Sequence, residues 1–369
     1  MNVFKPLERF LRRQFLAATD RPFAGDYVTS PRDALQLGAT PRLLLLRQDR
    51  IGDVLVSVPL IRALRSKYPQ AVIHMLFSRT NYGVRQAALP WIDHAWRYDK
   101  TPGSAIGLIR AFRRARYDVV VDLMDSPSTN SQLVAQWSRA RARLGIRHER
   151  AGHYTVAVPL LDRERVHIVE RLAQLLLPFG LDPAVVPLEL EYRLTDAERA
   201  RARARLAPTD RPRRLGVNIS GSSLARFWGR DNFIALIKWF QETDPRFHVT
   251  VVGAPDYEPD LAAIAAATGA GRLPTLEFHE FAAVVHEFDL LLTPDTAVLH
   301  LGAAWKIPQV DLFHQPPGAP LPWYPYHSPY KALLHPDGVG HIPQGEVRAA
   351  LRALVTEHFG PLPGAGGRV

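Results

Sequence analysis

The 369-residue sequence contains no cysteine. This absence excludes disulfides, thiolate metal sites and a cysteine nucleophile, and it fits a reducing cytosol. No apolar run approaches the ~20 residues that a membrane-spanning helix needs. Charged residues also interrupt the N-terminal segment, so it lacks the apolar stretch of a signal peptide.

Several catalytic and ligand-binding motifs are missing as well. There is no Gly-x-Gly-x-x-Gly after the first predicted strand, which disfavours a dinucleotide-dependent dehydrogenase, and there is no Gly-Lys pair of a P-loop. Neither His-Glu-x-x-His nor Gly-x-Ser-x-Gly occurs. No two aspartates are separated by a single residue, so the Asp-x-Asp pair that carries a divalent metal in many sugar transferases is absent. We therefore expect no metal ion and no cofactor.

The composition is basic, with 46 Lys and Arg residues against 36 Asp and Glu residues and a formal net charge of +10. A basic surface suits nucleic acid, an anionic membrane or an acidic substrate. No nucleic-acid motif occurs, so we expect no nucleic-acid partner. The segment Val3–Phe15 spaces apolar residues as a helix does, with basic residues between them. It could lie on anionic lipid or pack on the domain surface, and we slightly favour the second interpretation.

Hydrophobic residues make up 47% of the chain, enough for two buried cores. Predicted strands and helices alternate in two series, which begin with the strands Arg42–Arg47 and Leu215–Ile219. This pattern predicts an α/β fold class, with two Rossmann-like doubly wound parallel-sheet domains facing a central cleft. The expected parts are an N-terminal domain over 1–190, a linker over 191–213, a C-terminal domain over 214–340, and a C-terminal helix that could cross back, with a tail, over 341–369.

The stretch Leu290–Ala304 predicts a buried strand that runs directly into a helix. The first amides of a helix and the positive end of its dipole form a site for anions. Asp295, Thr296 and His300 are of types that could hold a ribose and a diphosphate. Alternatively, Asp295 is only an N-cap and His300 only a helix residue, and the residues alone leave both interpretations open.

Two other turns follow predicted strands. In the first, Gly52 permits a tight approach or a positive φ, and Asp53 is either a helix N-cap or a general base, with Asp49 as a second candidate. In the second, the amides of the loop Ser220–Ser223 suit oxyanions, and Arg226 could meet a diphosphate through its planar guanidinium group. That loop consists of Ser220, Gly221, Ser222 and Ser223. Taken alone, it is more simply a polar loop with one exposed arginine.

Together, the three stretches resemble glycosyltransferase family 9, the ADP-heptose:lipopolysaccharide heptosyltransferases, which have the two-domain GT-B fold. The resemblance rests on Arg47-x-x-x-Ile-Gly-Asp-Val-Leu-x-x-x-Pro-Leu-Ile-Arg-Ala-Leu, and on Pro294-Asp-Thr-Ala-Val-Leu-His-Leu-Gly-Ala-Ala with Leu312-Phe313 downstream. It implies that Asp53 is the catalytic base and that Arg226, two residues before a tryptophan, holds the diphosphate. The segment implied to bind the nucleotide sugar contains Asp295, Thr296, Ala297, Val298 and His300.

The chain departs from the family pattern at three positions. The family usually has Gly at the position of Ala297, Lys at that of Arg226, and Gly at that of His314. A Cβ at residue 297 narrows the approach to the phosphates, although an amide at a helix start still serves. The change at residue 314 lies beside the nucleotide loop, so it leaves the identity of the sugar nucleotide open.

The resulting hypothesis is an inverting, metal-independent transfer of a heptose from ADP-heptose. Asp53 takes the proton of an acceptor hydroxyl, while Arg226, the Ser220–Ser223 amides and the helix starting at Thr296 stabilise the leaving ADP. The resemblance implies an acidic glycolipid acceptor, the lipopolysaccharide inner core. It also implies a cytoplasmic protein in peripheral contact with the anionic inner membrane, and no protein partner is indicated.

Two alternatives stay open. One is a family-9-like transferase that uses another nucleotide sugar or a non-lipid acceptor, and the other is a non-catalytic sugar-nucleotide-binding relative. The segment Tyr117–Asn130 could face the acceptor, although its Asp122 could equally just end a strand. The acceptor-side candidates are Gly52, Asp49, Asp122 and Asp125.

Overall fold

The structure is a computed structural model that describes residues 22–126, 128–148, 151–274 and 276–363. The chain divides into two compact units, Met1–Leu188 and Glu189–Val369. The N-terminal amphipathic segment predicted above lies outside the described residues. Within the described ranges, no helix combines the length and the apolar character that crossing a membrane requires.

The first unit contains a seven-stranded sheet in the order β1-β7-β6-β5-β2-β3-β4, and every neighbouring pair is parallel. Its strands are β1 (Asp26–Tyr27), β2 (Arg42–Leu46), β3 (Val72–Ser78), β4 (His94–Tyr98), β5 (Val119–Asp122), β6 (Ala142–Ile146) and β7 (Val156–Val158). Its helices are α1 (Ile51–Lys67), α2 (Pro102–Ala115), α3 (Thr129–Trp137) and α4 (Ile168–Ala173), with 3₁₀ turns at Tyr82–Ala87 and Gln174–Leu176.

Strand β2 is the centre of this sheet because Leu43 to Leu46 are all fully buried. A continuous apolar run suits a parallel strand that is covered on both faces. The chain proceeds outward on one side through β3 and β4, and then returns to the other side of β2 at β5. The sheet therefore has its topological switch point between β2 and β5, where a doubly wound sheet binds ligands beyond the strand ends.

The second unit contains a six-stranded parallel sheet in the order β10-β9-β8-β11-β12-β13. Its strands are β8 (Arg213–Asn218), β9 (Phe247–Val252), β10 (Gly271–Arg272), β11 (Leu290–Pro294), β12 (Gln309–His314) and β13 (Tyr330–His335). Numbered within the unit, this is the Rossmann order 3-2-1-4-5-6, and its switch point lies between β8 and β11.

The second unit also contains most of the helices. They are α5 (Asp196–Arg205), α6 (Arg230–Thr243), α7 (Glu258–Thr268), α8 (Phe278–Val285), α9 (Ala297–Ala304) and α10 (Gln344–Phe359), with 3₁₀ turns at Leu224–Arg226, Pro255–Tyr257 and Val339–His341. Helix α10 buries Val347, Leu351 and Val355 in the same core as Leu215 of β8. Helix α5, within the stretch predicted as a linker, joins the second unit through Arg203–Glu287 and Arg205–Glu280 ion pairs.

Strands β6, β7 and β13 were not predicted from the sequence. The edge strand β1, which pairs with β7, was not predicted either. These short strands become clear only through their pairing partners, because few residues in each show the alternation that identifies a strand.

Candidate active site

A buried arginine organises the switch point of the first sheet. Arg47 follows β2 and is only 1% exposed. Its Nη2 lies 3.2 Å from Asp53 Oδ1, and its Nη1 lies 3.4 Å from Asp49 Oδ2. The guanidinium also donates to the carbonyl oxygens of Asp53 and of Leu123, which follows β5. Arg47 therefore links the end of β2 to the residue that follows β5, the two strands at the switch point.

Asp53 occupies the third position of α1. The predicted N-cap role is wrong, because the helix begins at Ile51 and Arg50 is the N-cap. The Arg50 amide donates to Asp53 Oδ2 over 3.1 Å, so the carboxylate satisfies an amide just before the helix. The residue is 8% exposed. Gly52 lies within this first turn and is not among the glycines with positive φ, so it does not use that conformation, one of the two that the sequence left open.

The neighbouring carboxyl group of Asp49 is mostly buried. Burial raises its pKa to about 7, the Arg47 guanidinium opposes that rise, and the charge of Asp53 together with a hydrogen bond to Asp53 adds to it. Asp49 and Asp53 therefore form a close pair that shares one arginine.

Of the two other acceptor-side candidates, Asp122 is the last residue of β5 and Asp125 follows that strand. Asp122 is 1% exposed and accepts hydrogen bonds from the Tyr154 hydroxyl at 2.8 Å and the Met124 amide at 3.2 Å. Burial raises the pKa of Asp122 to about 6. Asp125 accepts from Arg171 Nη2 at 2.8 Å. Both carboxyl groups are thus engaged within the first unit, in contacts that hold the loop after β5.

In the second unit, a buried asparagine joins the two strands at the switch point. Asn218, the last residue of β8, is 0% exposed. Its Nδ2 donates to Thr293 Oγ1 at 2.9 Å and to Thr296 Oγ1 at 3.1 Å, on either side of the end of β11. Its Oδ1 accepts from the hydroxyl of Ser220 at 2.7 Å and from its amide. The Ser220 hydroxyl is therefore turned inward, and Asn218 fixes the loop against the helix start.

The N-cap of α9 is Thr296, not Asp295. The Thr296 hydroxyl accepts from the Val298 amide at 3.3 Å, and residue Ala297 begins the helix. The first amides of α9 and the positive end of its dipole therefore follow directly after the end of β11, an arrangement that suits an anion. The strand-to-helix turn expected from the sequence is present, with the cap one residue later.

Asp295 instead forms an ion pair with Arg226. Arg226 Nη2 lies 2.9 Å from Asp295 Oδ2, and Nη1 donates to the Asp295 carbonyl and to the Ser222 hydroxyl. The side chains are 25% and 23% exposed. A Cβ on Gly221 would lie 2.6 Å from Arg226 Cβ, so the close approach of the two backbones needs glycine there. The structure therefore brings the loop Ser220–Ser223, Arg226 and the start of α9 together.

His300 lies on α9 and is 3% exposed, with its ring centroid 6.2 Å from that of Trp323. His300 is therefore a buried helix residue. His314 ends β12, and its Nε2 is 2.9 Å from the carbonyl oxygen of Pro336. Among the described residues, no group of three or more His, Asp or Glu side chains is placed to hold a metal ion.

A second buried carboxyl group lies on β12, next to Thr293 of β11 in the sheet register. Asp311 is 0% exposed, and neither of its oxygens has a hydrogen-bond partner within the described residues. Burial raises its pKa well above the ordinary value, and the charge of Asp295 adds to the effect. Burial therefore favours the protonated form of Asp311 in the folded protein.

We expect Asp311→Asn to change how stability depends on pH. The pKa of Asp311 is raised in the folded state, so its contribution to the free energy of unfolding is largest below its unfolded-state pKa near 3.8. That contribution is lost as the pH rises towards the folded-state pKa. The asparagine does not titrate, so the Tm of the variant relative to that of wild type should increase between pH 5 and pH 8. Differential scanning calorimetry at both pH values measures this, with exposed Asp256→Asn as the control. An identical Tm difference at the two pH values would contradict it.

Comparison with known families decides the class of this protein. The family model described as glycosyltransferase family 9 (heptosyltransferase) matches residues 106–337, well over half of the chain. The chain belongs to glycosyltransferase family 9. It is a glycosyltransferase, as the sequence resemblance implied. The matched range contains the loop Ser220–Ser223, Arg226 and the start of α9, which together form the helix-start site of this family 9 protein. It does not reach Asp53.

Individual relatives agree with the family assignment. The chain is 25% identical over 282 residues to lipopolysaccharide heptosyltransferase 3 of Escherichia coli (strain K12), a match that covers 71% of this chain and 79% of the relative. A solved family 9 glycosyl transferase from Veillonella parvula DSM 2008 has a TM-score of 0.74 and 20% identity, covering 88% of this chain and 99% of that one. E. coli ADP-heptose lps heptosyltransferase II has a TM-score of 0.69 and 20% identity, covering 86% and 99%. The predicted GT-B class, with two parallel-sheet α/β domains, is confirmed.

Three buried polar residues of this family 9 protein were not proposed from the sequence as site residues. Arg47 was quoted only as part of a motif, while Asn218 and Asp311 were not singled out. Each stands beside apolar strand residues: Arg47 follows Leu46, Asn218 follows Val217, and Asp311 lies between Val310 and Leu312. That placement could have identified them, because a buried polar group needs a hydrogen-bond partner and so marks a position with a structural or functional role.

Proposed function

We propose that this family 9 enzyme transfers a heptose from ADP-heptose to an acceptor in the inner core of lipopolysaccharide. Family membership and the name of the 25%-identical relative support the class of reaction. The observation that carries the proposal furthest is the helix-start site of the second unit. There Asn218 holds the Ser220 loop, the cap Thr296 and the end of β11 in one arrangement.

The donor diphosphate would bind at the start of α9. The amides of Ala297 and Val298 and the helix dipole supply fixed positive charge, and the loop Ser220–Ser223 supplies further amides. Arg226 lies beside this position, held by Asp295 and Ser222. Because the Arg226 guanidinium is already held in place, it needs little reorganisation when negative charge develops on the leaving ADP. In this proposal, Asp295 orients Arg226 or accepts from a ribose hydroxyl.

Asp53 is the proposed general base. Its carboxylate is oriented by Arg47 and the Arg50 amide, and it remains partly accessible at the strand-end edge of its sheet. In an inverting transfer, the acceptor O–H bond breaks and its proton goes to Asp53. The acceptor oxygen then forms a bond to the anomeric carbon as the bond from that carbon to the diphosphate oxygen breaks. The negative charge leaves with ADP and is stabilised by Arg226 and the helix start, so the proposal requires no metal.

The proposed acceptor is an acidic glycolipid on the cytoplasmic face of the inner membrane, which the protein would contact peripherally. The net charge of +10 supports an acidic partner. Ala297 and His314 motivate a second candidate, a family 9 transferase with another nucleotide sugar or a non-lipid acceptor. Both residues stand where the family usually has glycine, beside the proposed nucleotide site.

Nucleotide titration separates these candidates. We expect isothermal titration calorimetry to show ADP binding at least about tenfold more tightly than UDP or GDP, a difference of about 1.4 kcal/mol. We also expect ADP release when ADP-heptose and a heptose-deficient lipopolysaccharide are supplied together, and none with either substrate alone. Preferential binding of UDP or GDP would reject the ADP-heptose donor and favour the second candidate.

A further inference from the structure

The first switch point contains two carboxyl groups and one buried guanidinium group. Arg47 Nη2 contacts Asp53 Oδ1 at 3.2 Å, and Arg47 Nη1 contacts Asp49 Oδ2 at 3.4 Å. Two carboxyl groups that contact the same guanidinium group lie close enough for the charge of one to affect the protonation of the other. The shared contacts with Arg47 therefore join Asp49 and Asp53 into one coupled pair.

The charges around the pair account for its protonation. Arg47 faces both carboxyl groups, and on the α1 side the Arg50 amide donates to Asp53. On the β5 side, Leu123 offers a carbonyl oxygen, while Asp122 is held by Tyr154 and Met124. With both carboxyl groups ionised, one cation faces two anions in a mostly buried site. Burial raises the pKa of Asp49 to about 7, so the pair holds one proton below that pH.

A proton-accepting atom is also in place. Asp49 Oδ1 is buried and has no hydrogen-bond partner within the described residues, whereas Asp53 Oδ1 and Oδ2 are both engaged. The Asp49 side chain is nonetheless 21% exposed, slightly more than that of Asp53 at 11%. An isolated carboxylate is a weak base at neutral pH, and a base is most effective when its pKa lies near the working pH.

We propose that Asp49 and Asp53 act as one coupled base, in which Asp53 takes the proton of the acceptor hydroxyl and shares it with Asp49. This inference rests on the proposed function. The doubly ionised pair gains one proton as the acceptor oxygen bonds to the anomeric carbon, and the proton returns to solvent after the nucleotide leaves. Asp53 is the catalytic residue that meets the acceptor, and Asp49 is a positioning residue that sets the basicity of Asp53.

The pH dependence of Asp49→Asn tests the coupling. For wild type, we expect kcat/KM to rise with pH to a plateau with an apparent pKa near 7. In Asp49→Asn, the apparent pKa should fall by more than one unit and the plateau by about tenfold, because Asp53 alone is a weaker base. Asp162→Asn, an exposed carboxylate of the same unit, is the control. A lowered plateau with an unchanged apparent pKa would overturn the proposal, since a purely structural role produces that result.

A second measurement needs no substrate. NMR of wild-type protein labelled with ¹³C at the aspartate carboxyl carbons should show a resonance that titrates near pH 7 and is absent from Asp49→Asn. Its loss in that variant separates it from the resonances of Asp122 and Asp311, whose pKa values are also raised. Its absence from wild type would overturn the coupled pair whatever the turnover. Its presence in a protein that transfers no heptose would uphold the pair and reject the proposed function instead.

Discussion

Asp53→Asn is expected to lower turnover about 10²–10⁴-fold, the usual effect of losing a general base. The amide is nearly the same size as the carboxyl group but does not take up the acceptor proton. Arg47 keeps its ion pair with Asp49 in this variant, so the buried guanidinium is not left without an anion. The donor binds in the second unit in this account, so its affinity should stay within about twofold of wild type, well under 1.4 kcal/mol.

Steady-state kinetics of ADP release, together with calorimetric titration of ADP, measures both quantities. Asp182→Asn is the matched control, because Asp182 is an exposed aspartate of the same unit that accepts a hydrogen bond from a nearby amide. Thermal unfolding of both variants checks that the fold is kept. Turnover of Asp53→Asn within a factor of ten of wild type would reject the base assignment.

Arg226→Ala is expected to weaken both donor binding and turnover. Removing one preorganised stabiliser of developing charge costs about 3 kcal/mol in comparable enzymes, which is roughly a 100-fold loss in rate. The variant also leaves Asp295 without its guanidinium partner beside the proposed diphosphate, and the repulsion between the anions adds to the loss. Arg226→Lys keeps the positive charge but loses the planar two-point contact, so we expect a loss of donor affinity and turnover smaller than that of Arg226→Ala.

The control for Arg226 is Arg230→Ala. Arg230 lies four residues further along the chain and pairs with Asp260 on the surface of the same unit. Its removal should leave the Kd for ADP and the turnover within about twofold of wild type, because exposed ion pairs contribute little. Equal ADP affinity in Arg226→Ala and wild type would exclude Arg226 from the diphosphate site.

The parts of the fold that the sequence predicted well are those with strong local patterns. The leucine runs in β2 and β11 are long, apolar and followed directly by polar turns, so both strands and the helices after them were identified. Parallel sheets and ligand sites at the carboxyl ends of the strands followed from that alternation. Arg226 and Asp295, both proposed as site residues, form an ion pair in the structure, and their role in donor binding stays a prediction.

The remaining features depend on contacts between distant parts of the chain. Strand β7 has three residues, and β13 follows a loop rich in proline and aromatic residues, so neither has a pattern that stands alone. The N-cap of α9 is Thr296, whose hydroxyl accepts a hydrogen bond from the sequence-distant Asn218. Asn218 reaches Thr293 and Thr296 across 75 and 78 residues, a separation that no local pattern encodes.

A crystal structure of the protein with ADP tests the central claim most directly. The account predicts diphosphate oxygens within hydrogen-bonding distance, about 2.7–3.2 Å, of the amide of Ala297 or Val298 and of the Arg226 guanidinium. ADP bound elsewhere, with its phosphates in contact with neither the start of α9 nor Arg226, would contradict the account.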